Sequence, residues 1–304
     1  MRYALLVVGM LLALLAASVS VAQTTHVHDA SYKVVLGDEP PGVRVDWGAQ
    51  AVFIITEAKA PANAMGRRAY QLAFDAALKQ ARQQALAGFQ EMKLTSYATL
   101  KETVITCVLS EETVASVSKA VRPVVDRWNA RERTISLMSA LPLVGSGTLG
   151  EVAARMLKIE QQLYAANKLA PVTPRERMTL RTIEPVTQIS DGPYTGLLLD
   201  CTGLHYTPSL LPKFVAEDGS EFWGTLKVNR LLLMEKGLAS YVAKFREGLS
   251  MDRLGDTPLI IRPIGTAGKL YGDLVFTADD AKRIMEEDAK SHFLDGLNIV
   301  VVID

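Results

Sequence analysis

The sequence predicts an α+β fold in which two α/β-layer domains each carry a small mixed sheet packed by helices. Three observations lead there. Short β-branched or alternating runs are interleaved with segments whose apolar residues recur at three- and four-residue steps. A Pro- and Gly-punctuated stretch at residues 171–193 separates two such sets, and 304 residues suit about two domains at roughly 150 each. The run Ile299–Ile303 is wholly apolar, as a strand buried on both faces of a sheet has to be.

Residues 1–22 carry the pattern of a secretory signal peptide: Arg2, the apolar stretch Ala4–Ala17, then Ser20-Val21-Ala22 with cleavage expected after Ala22. No second apolar run reaches transmembrane length, so an exported, soluble chain is expected, periplasmic in a Gram-negative cell. Residues 23–42 are polar and turn-rich and are expected to form a mobile lead-in. Their His26-Val27-His28-Asp29 lacks further ligands downstream for a four-ligand zinc site and reads as solvated tail. Lys+Arg 33 against Asp+Glu 33 leaves no long-range field to attract nucleic acid or an anionic membrane.

The first domain is expected over residues 43–170. Residues 43–58 alternate partly and read as strand. Residues 64–90 place Ala69, Leu72, Ala73, Ala76, Ala77, Ala81, Ala85 and Leu86 at three- and four-residue steps on one face, with Arg67, Arg68, Lys79 and Arg82 on the other, which predicts an amphipathic helix able to lie close to a sheet. Residues 94–109 read as extended or mixed, with Thr103–Val108 β-branched. Ser110 followed by Glu111 and Glu112 is a helix start, predicting a helix over 111–128. Residues 133–144 read as strand. Gly145–Gly150 fits G-x-G-x-x-G, but the helix over 151–168 runs into Pro171 and Pro174 rather than into a strand ending in an acid, so a turn is expected and not a dinucleotide site.

The second domain is expected over residues 194–304. Tyr194–Thr202, 238–245, 259–264, 272–276 and 298–303 read as strands, and Asp218-Gly219 as a hairpin turn between 214–217 and 221–225. Glu217, Asp218 and Glu221 are too few and too closely spaced for a calcium loop. Thr277-Ala278-Asp279-Asp280 opens a helix to about residue 293 by its capping pattern.

Chemistry-bearing residues are sparse. Beyond the lead-in only His205 and His292 occur, no Ser sits in G-x-S-x-G, and no CxxC is present. No catalytic centre, metal site or cofactor is expected. Asp200, at the end of Leu197–Leu199, and His205 are the polar residues that a ligand or enzymatic site between the halves would use, and that alternative stays open. In an oxidising compartment Cys107 and Cys201 either form one bridge between the halves or are two small buried residues.

Two stretches together resemble a known family. Residues 47–150, with Arg67-Arg68-Ala69, Ala73, Ala76, Ala81-Arg82 and Ala85, then Thr134-Ile135-Ser136 into Leu141-Pro142-Leu143, resemble the lipoprotein-20-type domain that also forms part of flagellar assembly protein T. Residues 194–304, with Thr195-Gly196-Leu197-Leu198-Leu199-Asp200, Gly203-Leu204, Pro208, Pro212, Asp218-Gly219 and Trp223-Gly224, resemble the segment that often follows it. The resemblance implies a non-enzymatic envelope protein that binds envelope proteins or itself, in flagellar or other assemblies. The chain departs from lipidated members in lacking a lipobox. That leaves a periplasmic place, with outer-membrane association open.

Overall fold

The computed structural model describes residues 24–27, 41–106, 108–166, 177–182, 184, 186, 188–189 and 191–304. The expected signal peptide, most of the lead-in and Cys107 lie outside them. The fold is mixed α+β, with small sheets packed by helices.

The first half is built on a five-stranded antiparallel sheet. Strands β1 (Thr24–Val27), β2 (Gly42–Asp46), β3 (Ala51–Lys59), β4 (Arg122–Asn129) and β5 (Thr134–Pro142) lie in the order β1-β4-β5-β3-β2. The single strand expected over 43–58 is a hairpin, turned at residues 47–50 with Gln50 at φ +50°. Helix α1 (Gly66–Gln90) covers one face. Its buried stripe is Ala69, Ala73, Ala77, Ala81, Ala85 and Phe89, whereas Leu72 and Ala76, expected on this face, are exposed and Leu86 is half-buried, because an i, i+4 row is all the sheet covers. Alanine brings the helix backbone within reach of the sheet: the Thr56 hydroxyl on β3 donates to Ala77 O at 3.0 Å. Farther along, Gly88 lies against Val43, where a Cβ would meet Val43 Cγ1 at 2.6 Å.

Two expectations fail between α1 and β4, each for a local reason. Residues 94–109 are not extended. Thr99 and Glu102 form a reciprocal capping box that starts helix α2 (Leu100–Ile105), and two orphan amides satisfied at once outweigh the β-branched composition. The helix expected over 111–128 is only α3 (Glu111–Ser116), followed by a 3₁₀ turn at Val117–Ala120. Pro123 cannot continue a helix and pushes the residue before it out of helical space, and from Arg122 the chain is strand β4. After β5, Thr148 caps helix α4 (Leu149–Ala165).

The second half holds two sheets. Strands β7 (Gly196–Asp200), β10 (Ser240–Val242), β11 (Pro258–Ile261) and β14 (Ile299–Val302) form a parallel sheet in the order β10-β14-β7-β11. Its two central strands are buried throughout, which explains their unbroken apolar runs. Strands β6 (Met178–Leu180), β8 (Phe214–Ala216), β9 (Glu221–Trp223), β12 (Gly265–Ala267) and β13 (Asp273–Phe276) form a mixed sheet, β6-β12-β13-β8-β9. β6 falls inside the stretch expected as linker, and β12 was not foreseen. Helix α5 (Arg230–Lys236) packs on α4, and α6 (Phe245–Leu249) and α7 (Ala278–Ser291) pack on these sheets; Thr277 caps α7 as expected. Among the described residues, no helix is long and apolar enough to cross a membrane.

One hydrophobic core runs through both halves. It joins Val52, Leu141 and Val152 of the first to Leu233, Tyr241 and Val301 of the second. The backbone stitches the same seam: Leu210 N donates to Lys93 O (3.1 Å), Leu211 N to Leu94 O (2.9 Å) and Leu270 N to Ser96 O (2.8 Å).

Candidate functional site

The seam is where the polar chemistry of the chain collects. On one flank Lys213 sits between Glu160 of α4 (3.2 Å) and Glu221 of β9 (3.7 Å), all three side chains largely buried. Burial pushes the Lys213 ammonium down, and the two carboxylates more than reverse this, leaving it above the ordinary lysine value. Thr225 donates to Glu160 (2.9 Å) and Tyr164 to Glu221 (2.9 Å), so the acids are fully engaged. Beside them Asp273, 1% exposed, accepts from Ser96 Oγ and from Lys213 N (3.0 Å). Burial pushes its carboxyl up to about 7. Ser96 and Asp273 belong to different halves, so this bond also crosses the seam.

At the surface the seam opens into a cleft of about 570 Å³ lined by Tyr97, Arg177, Met178, Thr179, Gly268, Lys269 and Tyr271. Each wall has a local cause. Tyr97 is at the tip of a tight loop in which Thr95 Oγ1 accepts from Tyr97 N and Ala98 N, both at 3.2 Å. Arg177 immediately precedes the edge strand β6, its guanidinium 5.6 Å from the Tyr97 ring centre. Lys269 and Tyr271 project from the turn Gly268–Gly272 between β12 and β13. Gly268 is obligatory there: at φ +86° a Cβ would strike Ser96 at 2.5 Å. Tyr271 holds φ +57°, a conformation that costs a bulky residue strain. His205 packs edge-on to Tyr271, ring centres 5.0 Å apart, at the rim. Lys269 bonds Glu102 at 3.1 Å.

The residues singled out by sequence fall elsewhere or at the edge. Asp200 closes β7 and is buried. Its carboxylate is held by Arg262, whose Nε is at 3.1 Å, and by Thr202 N at 3.1 Å. Burial would raise it, but the hydrogen bonds from Thr202 and Arg262 bring it below the usual carboxylate range. Asp200 and His205 thus have separate partners, Arg262 and Tyr271. Cys201 is a buried free thiol, pushed up by burial, as one of the two open readings has it; Cys107, its partner in the other, lies outside the described residues. His26 lies in β1 with its ring 5.5 Å from that of Tyr70, so it is not simply solvated tail; His28 lies outside the described residues. In the glycine motif, Gly145 N bonds Met234 O (2.7 Å) and Gly147 N bonds Glu151 (3.0 Å), so these two amides are already used in packing. Glu217, Asp218 and Glu221 bond Ala278 N, Ser220 N and Thr225 N respectively. No group of three or more His, Cys, Asp or Glu placed to hold a metal occurs among the described residues. His292 ends α7 in the left-handed conformation and contacts Asp295 at 3.1 Å.

Sequence reasoning missed Tyr97, Arg177, Lys269 and Tyr271. The one signal available was Gly268-Lys269-Leu270-Tyr271-Gly272, a tight turn that exposes a cation and a phenol.

Comparison with known proteins reaches the second half of the chain. A family model for the second domain of Treponema pallidum Tp0624 matches residues 196–304, starting at the first residue of β7. None of the curated proteins compared matches the chain. The match relates this half to a domain of another bacterial protein and lends no support to the lipoprotein-20 or flagellar likeness.

Proposed function

We propose that the protein is an exported, non-catalytic envelope protein that binds a partner through the seam between its halves. One contrast carries this reading. Asp273, Lys213, Asp200 and Arg253, polar groups with shifted proton affinities, are all engaged in structural hydrogen bonds or ion pairs, whereas the seam cleft gathers phenols and cations at the surface. Groups engaged in this way hold the body together and leave little for acid–base work. A lipoprotein-20-type or flagellar assembly role is the narrower form of this proposal, and it rests on the sequence resemblance alone.

The competing reading, a ligand or enzymatic site using Asp200 and His205, is weakened by the salt bridge that ties up Asp200. In-cell cross-linking followed by mass spectrometry tests the proposal. Recovery of an envelope protein, or of a second copy, is the expected result. No cross-linked partner, together with stabilisation of about 2.7 kcal/mol by a small molecule at 100 times its dissociation constant, would replace it with the ligand reading.

A further inference from the structure

We infer that the seam cleft is a docking site for an acidic segment of a partner protein. The inference rests on the partner-binding reading above and adds the location and the chemistry of the partner. Charge is the first argument. Arg177 and Lys269 reach the cleft from separate segments, and among the described lining residues no carboxylate faces them except through the exposed Lys269–Glu102 pair. Such an exposed pair has little strength of its own and yields to a better-placed anion. Arg177 is held against the Tyr97 ring, so its planar fork is set before a carboxylate arrives.

Composition is the second argument. Tyr, Arg and Met are the side chains that dominate protein–protein contacts, because rings give large contact area with few rotors to freeze. Here Tyr97, Tyr271, Arg177 and Met178 line one concavity.

Preorganisation is the third. The turn bearing Tyr271 is pinned by Leu270 N to Ser96 O at 2.8 Å and by the buried Asp273 that follows it. Keeping a tyrosine at φ +57°, where glycine would sit without strain, is understandable if its ring has a task. A nucleic acid is the poorer fit, because phosphate backbones are met by rows of cations and the formal charge of the chain is +0.

The test is fluorescence anisotropy of a labelled Glu/Ala decapeptide with the mature chain, a Lys/Ala decapeptide and a short single-stranded oligonucleotide serving as controls. The Glu/Ala peptide binds and the controls do not. The pair Arg177→Glu/Lys269→Glu weakens binding by at least about tenfold, and Tyr271→Gly, which relieves backbone strain while removing the ring, by about fivefold or more. Lys282→Glu, on the solvent face of α7, stays within about twofold. Undiminished binding by the charge-reversed pair with its melting temperature intact overturns the inference. So does equal binding of the Lys/Ala peptide, tighter binding of the oligonucleotide, or a self-associated dimer that Lys269→Glu dissolves. An in-cell cross-link to an envelope protein through another face sinks this inference and leaves the proposed function standing. Absence of any cross-linked partner sinks both.

Discussion

Replacing Lys213 by methionine probes the seam most sharply. The ammonium lies 3.2 Å from Glu160 and 3.7 Å from Glu221, at side-chain exposures of 17, 10 and 9%. At an effective dielectric of about 20, each attraction is worth about 5 kcal/mol gross, and most of that offsets the desolvation of three charges. Methionine fills the same channel but leaves two carboxylates buried without a cation. The expected loss is therefore about 3–5 kcal/mol, or about 10 °C in melting temperature for a chain of this size. Because Glu160 is on α4 and Glu221 on β9, the loss falls on the contact between the halves. Urea unfolding at neutral pH measures it. Adding Glu160→Gln and Glu221→Gln to Lys213→Met is expected to restore most of the stability, since the unpaired charges go with the acids. A Lys213→Met variant within about 1 kcal/mol of the parent, or a triple variant no better than the single, would refute the reasoning.

Three further outcomes are expected. Asp273 keeps its proton more readily folded than unfolded, with a folded value of about 7 against an ordinary 3.8, so the folded state binds the extra proton and stability falls as pH rises from about 4 to about 7. The fall attributable to this group is about 4 kcal/mol, and Asp273→Asn should flatten the curve of unfolding free energy against pH across that window. Arg253 donates Nε to Leu297 O (2.6 Å) and its two Nη groups to the carbonyls of Lys236, Gly237 and Leu238 and to Ser240 Oγ, closing the C-terminus of α5. Arg253→Met should cost about 2–4 kcal/mol in denaturant unfolding, with Arg253→Lys recovering little because an ammonium cannot span that fork. Thr99→Ala removes one half of the α2 capping box and should cost about 1 kcal/mol, whereas an extended 94–109 segment would show almost no change.

Much of the architecture was legible because its causes are local. The alanine stripe of α1, the Thr277 cap and the apolar Ile299–Val302 run each state their structure within a few residues. The stretch from Leu94 to Trp128 was misread because composition and local chemistry disagree there: Thr103–Val104 favours strand, while Thr99 with Glu102 starts a helix. Val114–Val125 keeps a helical apolar step that Pro123 interrupts. The cleft was almost invisible in sequence. Ser96 and Asp273 are 177 residues apart, and Tyr97 meets Arg177 only because a loop of the first half docks on a turn of the second. Asp200 drew notice as an acid at the end of a parallel strand, the right place for a ligand in many α/β proteins, but the chain supplies Arg262 to neutralise it.

The central claim is that partner binding uses the seam cleft of a body held together across its halves. Amide hydrogen exchange on the protein with and without its cross-linked partner, or with the Glu/Ala decapeptide, tests it most directly. Slowed exchange confined to residues 96–99, 177–180 and 268–272 is the predicted result. Protection on α1 or α7 with those three segments unchanged would contradict it.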